Sequence, residues 1–509
     1  MSQARAWSVA LVGIEGALVE VEAAISSGLP RTTMVGLPDA ALYEARDRCR
    51  AAMASAGFGW PSDPVTINLS PATLPKAGSH YDLAIAAAVA AARHGFDPSA
   101  LEGVVLFGEL GLDGRVRAVR GLLPALLSAT GRGFARAVVP AVQLREALLV
   151  EGLTVHGAAN LADLFDVLTG GAGAAPAPRS PVVAGEHPLL DLADVAGQVE
   201  ARWALEVAAA GRHHVYLHGP PGVGKTLLAE RLPGLLPDLE LAEALEVSAI
   251  HSLAGVSLDD GLVRRPPYAD PHHSASVASL VGGGARIALP GAVSRAHRGV
   301  LFLDEAPEFS PRVMEALRVP LESGRIVLGR SVATATYPAS FQLVLAANPC
   351  PCGMAGTPGG GCRCPPMVVR RYATRVSGPI LDRIDIHQEL RPVRAAFLER
   401  RLAQGESTRV VAERVLAARD RQRRRLESSG WRTNGEVPGP ALRKRLALPG
   451  GTEVLDVAVA RGRLSARGVD KVLRLAWTIA DLAGREPPTS EDLHTALAMR
   501  RGDTGTGDA

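Results

Sequence analysis

Lysine is almost absent. The 509-residue chain has 55 Lys plus Arg, yet only Lys76, Lys225, Lys444 and Lys471 are lysines, so a lysine within a glycine-rich loop stands out. Cysteine is scarce too, and five in so long a chain exclude a disulfide framework. Aromatic residues make up 4% and the net charge is +3, which excludes a protein that coats nucleic acid through bulk charge. No run of 18 uninterrupted apolar residues occurs, so no membrane span is expected. Residues 1–13 are too polar, and their apolar part too short, for a secretory signal. These absences lead to the expectation of a cytoplasmic protein.

What is present is ordinary for a globular chain: 47% hydrophobic and 21% charged residues. The length exceeds what one core can organise, so several domains are expected. Residues 1–169 read as a compact α/β domain. It has a hairpin at 9–12 and 18–23, helices at 40–56 and 81–94, strands at 65–69 and 104–109, and a turn at Asp113-Gly114. Residues 170–188, rich in Gly, Ala and Pro, read as a linker. Residues 189–392 alternate helix and apolar strand, with strands at 214–218, 300–303 and 341–347 that carry polar residues at their C-terminal ends. That pattern predicts a parallel sheet with its site along that edge. Residues 393–501 read as helical. From residue 391 onward 23 Arg plus Lys face 15 Asp plus Glu, which reads as solvated helix surface. Residues 502–509 read as a disordered tail.

Gly219, Pro220, Pro221, Gly222, Val223, Gly224, Lys225 and Thr226 fit G-x-x-x-x-G-K-[ST] at every fixed position, between an apolar strand and a helix. Glycines at 222 and 224 let successive N–H groups converge on phosphate oxygens. The following helix aims its positive end at the same anion. Lys225 would reach the β- and γ-phosphates and Thr226 the Mg²⁺ of bound ATP. A second apolar run, Val300-Leu-Phe-Leu, delivers Asp304 to the metal and Glu305 to an attacking water. Asn348, at the end of the next run, is placed to hold that water or the γ-phosphate.

With these residues in place the chain resembles, over nearly its whole length, the ComM/YifB type of Mg-chelatase-like AAA+ ATPases. The likeness rests on Asp194-Val-Ala-Gly-Gln198, Ala269-Asp-Pro-His-His-Ser-Ala-Ser276, Val281-Gly-Gly-Gly284, Gly299-Val-Leu-Phe-Leu-Asp-Glu305, Asn348-Pro-Cys-Pro-Cys-Gly353 and Ser377-Gly-Pro-Ile-Leu-Asp-Arg-Ile-Asp385. It implies a homo-hexameric ring with ATP between subunits. Arg383 matches the arginine finger that enters the neighbour's site; the alternative is pairing with Asp382 or Asp385 in its own chain. Arg467 matches the sensor-2 arginine of a helical lid, with Arg474, seven residues on, as the alternative. Residues 322–336 resemble the hairpin before sensor 1, from which Arg325 and Arg330 would meet phosphates in a pore, face solvent or bridge subunits. His272 and His273 are adjacent histidines in a loop and are not read as metal ligands.

The N-terminal domain resembles the Lon-protease-like (ribosomal S5 domain 2-like) fold through Phe107-Gly-Glu-Leu-Gly-Leu-Asp-Gly-Arg-Val-Arg-Ala-Val119. The protease residues do not carry over. His80 stands at the nucleophile position and Leu123 at that of the lysine, while Ser79 is one residue away and lacks a basic partner. A scaffold or DNA-binding role is expected instead.

Cys350, Cys352, Cys362 and Cys364 lie within fifteen residues and are suited to Zn²⁺, although Cys-x-Cys is tighter than the usual Cys-x₂-Cys. Free thiols and a labile disulfide are the alternatives, and Cys49 reads as core. The leading expectation is ATP-driven remodelling or translocation of single-stranded or branched DNA. Branch migration of recombination intermediates in natural transformation, alongside recombination proteins, is the form the resemblance implies. The alternative is a protein-remodelling ATPase.

Overall fold

The computed structural model describes residues 2–36, 40–74, 76, 78–171, 190–284, 288–329, 334–356, 361–392 and 405–502. Residues 172–188 of the expected 170–188 linker, residues 503–509 of the expected 502–509 tail, and Arg330 lie outside the described residues.

The N-terminal part is built on a hairpin of Ser2–Val12 with Glu15–Ile25, turned at Gly13 with φ 68°. It runs well beyond the expected 9–12 and 18–23. The inward positions of its outer halves include Ala4, Ala6 and Ala23, which are buried yet too small to show as a hydrophobic alternation. This hairpin is the middle of a seven-stranded mixed sheet. The order is Thr32–Val35, Val65–Ser70, Glu15–Ile25, Ser2–Val12, Val104–Leu106, Arg136–Pro140, Thr154–Ala158. Helix Asp82–Ala92 is buried at every residue; its run of alanines lets it lie close against the sheet. The strand expected at 104–109 ends at Leu106, and Glu109–Leu110 pairs with Val116–Arg117 across the Asp113-Gly114 turn.

The second sheet is wholly parallel, in the order Tyr268–Ala269, Val300–Leu303, Gln342–Ala347, Val215–His218, Ile386–Glu389. Both faces of its central strands are covered: Val300–Leu303 and Gln342–Ala347 are buried at every position, and apart from Gln342 they are apolar. Parallel pairing puts the C-terminal ends of three strands side by side, so residues 219, 304 and 348 emerge at one edge.

Helices Thr408–Leu426, Ala466–Leu482 and Ser490–Arg501 form the C-terminal part and share a core with that sheet. Leu205, Val215, Val415, Leu475 and Trp477 belong to one cluster. Trp477 is also covered by the Arg425 guanidinium, 4.3 Å from its ring centroid. A Trp477→Ala change would empty that contact at a cost of about 3–5 kcal/mol.

The N-terminal sheet meets the second sheet's insertions directly. The Ser252 hydroxyl donates to the buried Glu146 carboxylate, and Gly121 N–H donates to Ser252 O at 3.2 Å. The expected hairpin forms from Arg325–Gly329 and Thr334–Pro338. The Gly13 turn rests on it: a Cβ at Gly13 would lie 2.6 Å from Thr336 O, so only glycine fits. Among the described residues no helix is long and apolar enough to cross a membrane.

Candidate nucleotide site

The loop 219–226 leaves strand Val215–His218 and opens helix Lys225–Leu235, as the motif requires. Gly222 and Gly224 take φ of 78° and 94°, a region that side-chain-bearing residues avoid. Without Cβ atoms the backbone curls so that its N–H groups face the same space. Lys225 bridges this loop. Its ammonium donates to Gly219 O at 2.7 Å, Pro220 O at 2.9 Å and Asn348 Oδ1 at 2.9 Å. Burial draws the ammonium below its usual range, and the nearby Asp304 and Glu305 carboxylates oppose that shift. Exchanging carbonyls for phosphate oxygens would give Lys225 a charged partner in the same place.

Thr226 Oγ1 donates to Asp304 Oδ2 at 2.8 Å, so the two oxygens suited to Mg²⁺ already face each other. Asp304 Oδ1 accepts from the Glu305 N–H at 2.8 Å. Glu305 itself has φ 50°, a left-handed conformation that costs a non-glycine residue about 1–3 kcal/mol and gathers at functional positions. This turn takes the chain out of the strand line directly after Asp304. The arrangement is able to bind a metal–triphosphate and orient a water for in-line attack.

Two contributors were not recognised as such in the sequence. His273, dismissed there as a ligand, places Nδ1 3.3 Å from Glu305 Oε2. Gln198 donates to Val223 O at 3.1 Å and to Arg391 O at 2.9 Å, clasping the loop to the end of the last strand. Gln198 sat inside a quoted motif, but adjacency in space to 223 and 391 leaves no trace in spacing.

Arg383 and Arg467 are not with these residues. Arg383 is buried; it donates to Pro379 O at 2.6 Å and is ion-paired with Glu322. The expected intrachain alternatives, Asp382 and Asp385, are therefore not its partners. Asp385 is taken by Lys471 at 2.7 Å. Half-exposed Arg467 reaches the same Glu322 at 3.5 Å and Asp382 at 3.3 Å. Arg474 donates to Val437 O at 2.8 Å, which ties it to the helical part. The parallel register fixes where this group lies. His214 N–H donates to Asp385 at the start of strand Val215–His218, whereas Gly219 follows its far end. Five extended residues separate those levels by roughly 16 Å.

The four clustered cysteines are brought together, each thiol within 4.8 Å of every other. Cys49 is fully buried, as expected. Among the described residues of the N-terminal part no Ser–Lys pair forms. Ser79 donates to Glu109, His80 Nε2 lies 3.0 Å from Val9 O, and Leu123 is buried. Lys76 is spent on the carbonyls of Gly36 at 3.0 Å, Leu74 at 3.1 Å and Pro71. Without the lysine that activates it, a serine hydroxyl is a poor nucleophile.

Comparisons with known proteins agree with this architecture. Residues 191–398 match the family described as magnesium chelatase, subunit ChlI. Residues 21–143 match subunit ChlI of Mg-chelatase, and 405–500 match its C-terminal family. The chain is 53% identical over 504 residues to an uncharacterized Mycobacterium tuberculosis protein, covering 98% of this chain and 99% of that one. It is 42% identical over 494 residues to Escherichia coli YifB, covering 96% of each. Against competence protein ComM of Haemophilus influenzae it is 39% identical over 509 residues, covering 98% of each. Its fold class is α/β, with a Lon-protease-like part, an AAA+ P-loop sheet and a C-terminal helical part. The chain belongs to the ComM/YifB-type, Mg-chelatase-like AAA+ ATPases.

Proposed function

We propose that this chain assembles into a homo-hexameric ring that hydrolyses Mg²⁺-bound ATP between subunits and uses it to translocate or remodel DNA. The single observation that carries the ring is the position of Arg383, at the sheet edge opposite its own phosphate loop. A cation there serves the nucleotide of a neighbour, not its own. The division of the chain at 169, 189 and 392 belongs to this reading, as does a structural zinc at the four cysteines. Lys225 and Thr226 hold ATP and Mg²⁺ together with Asp304, Glu305 activates water, and Asn348 orients it.

DNA as the substrate is supported by the competence name of the Haemophilus relative and by exposed Arg325 on its hairpin. Branch migration of recombination intermediates, in the cytoplasm, is the specific form we favour. A pore that follows a phosphate backbone grips by charge, so affinity falls by roughly 0.9 log units per log unit of salt for each phosphate neutralised on duplex DNA. The experiment measures binding to single-stranded, duplex and four-way-junction DNA across a salt series, with ATP-dependent junction dissociation. Removing Arg325 and Arg330 together should lower the salt slope and leave basal hydrolysis intact. Assembled rings that bind no DNA, with an ATPase that DNA leaves unchanged, would replace this reading with remodelling of a protein partner.

A further inference from the structure

We propose that the zinc held by Cys350, Cys352, Cys362 and Cys364 fixes the wall of the phosphate loop, so that metal and ATP bind cooperatively. This rests on the nucleotide reading of residues 219–226. The sulfur positions come first. Cys350 Sγ is 3.3 Å from Cys352 Sγ and 3.7 Å from Cys362 Sγ, and Cys352 and Cys362 are 3.6 Å apart. Four thiolates around Zn²⁺ at about 2.3 Å form a tetrahedron with edges of about 3.8 Å. All four are free thiols, and a disulfide gathers two sulfurs where this fold gathers four around one point. An all-thiolate set selects zinc over Mg²⁺ or Ca²⁺.

The short Cys-x-Cys spacing is accommodated by a turn. Gly353 N–H donates to Cys350 O at 2.9 Å, with Gly353 at φ 78°. The Ala355 N–H points at Cys350 Sγ from 3.3 Å, a backbone contact that supports a thiolate ligand. Cys350 is fully buried, so a metal bound there would be held from inside the fold.

The same turn touches the phosphate loop by two routes. A Cβ at Gly353 would lie 2.5 Å from Pro221 Cδ, so the backbone of the knuckle packs flat against the loop. Asn348, two residues before Cys350, accepts from Lys225 at 2.9 Å. Removing the metal releases the four cysteines from one another, and gathering them again on ATP binding costs conformational entropy. Coupling of this kind is reciprocal and usually amounts to roughly 5- to 150-fold.

The test uses full-length protein purified without added zinc, and a Cys362→Ser, Cys364→Ser variant. Both of these cysteines are partly exposed, so their loss leaves the core closed. Metal analysis should give about one zinc per chain in the wild type and none in the variant. Affinity for a fluorescent non-hydrolysable ATP analogue should fall on the order of tenfold in the variant. In the unmutated protein the analogue should raise, by a similar factor, the chelator concentration needed to strip zinc. This second measurement stands even if the variant folds poorly. A well-folded, metal-free wild type overturns the zinc site. Zinc present, with analogue affinity unaffected by the variant and chelation unaffected by the analogue, overturns the coupling alone. A wild type that binds no analogue overturns the nucleotide reading on which the coupling rests.

Discussion

Arg383 lies beside the start of the strand whose far end leads into the loop carrying Lys225. Ile386 pairs with Val215 in parallel register, and Lys225 follows His218 across the glycine-rich turn. Glu322 holds both Arg383 and Arg467 on that remote side, so the two arginines form one unit. An Arg383→Ala variant should keep ATP affinity and lose hydrolysis by roughly 10³-fold or more, the usual worth of a finger supplied by a neighbour. Mixing it with Glu305→Gln should restore part of the rate, because some interfaces then join an intact finger to an intact acid. Turnover by verified mixed rings is the measurement, and absence of rescue removes the case for action between subunits.

Lys225 and Glu305 should fail in different ways. In the proposed site Lys225 would give the anion charge-assisted hydrogen bonds, each worth about 1.5–3 kcal/mol. Lys225→Ala should thus weaken ATP binding by roughly 10- to 100-fold. Glu305 is proposed to act on the attacking water instead. Glu305→Gln should retain ATP while turnover falls by about 10²- to 10⁴-fold. Comparing nucleotide retention with rate separates the two, and full turnover by Glu305→Gln would sink its assigned role.

His273 gives a third test. Its contact with Glu305 is partly exposed, with side chains 37% and 49% accessible, so the pair is worth at most about 1 kcal/mol. We predict that it restrains the carboxylate when no nucleotide is bound. His273→Ala should then raise basal turnover by up to roughly fivefold, with ATP affinity unchanged. A fall in rate would show that His273 positions Glu305 for the reaction.

The sequence was most legible where local chemistry dictates local shape. The phosphate loop, the strand into Asp304 and Glu305, and Asn348 at the next strand end all stand where their motifs put them. Parallel pairing follows from apolar runs with polar ends, so that edge could be read in advance. Partners brought together by packing were not legible. Glu322 beside Arg383, and His273 beside Glu305, lie 61 and 32 residues apart in the chain, with no periodic signal linking them. The Cys-x-Cys spacing is tighter than usual for zinc, and it carries no trace of the turn at Gly353 that packs against Pro221.

The last prediction concerns pH. His213 and His214 stand at the start of strand Val215–His218, between the sheet and the helical part. Burial lowers both to about 4, against the attraction of Asp385 and with repulsion from Lys471. His213 Nε2 lies 2.8 Å from Thr478 Oγ1, and His214 Nδ1 accepts from Leu343 N–H at 3.0 Å, which keeps that nitrogen unprotonated in the fold. In the unfolded chain each would titrate near 6.5. Between about 4 and 6.5 the unfolded state therefore binds more protons than the folded state, and stability rises with pH across that window. Going from pH 7 to pH 5 should cost up to about 2 kcal/mol per histidine. Urea midpoints measured at both pH values should show the fall, and His213→Gln should reduce it even if the variant is less stable at pH 7. An equal fall in the variant would assign the pH dependence to other groups.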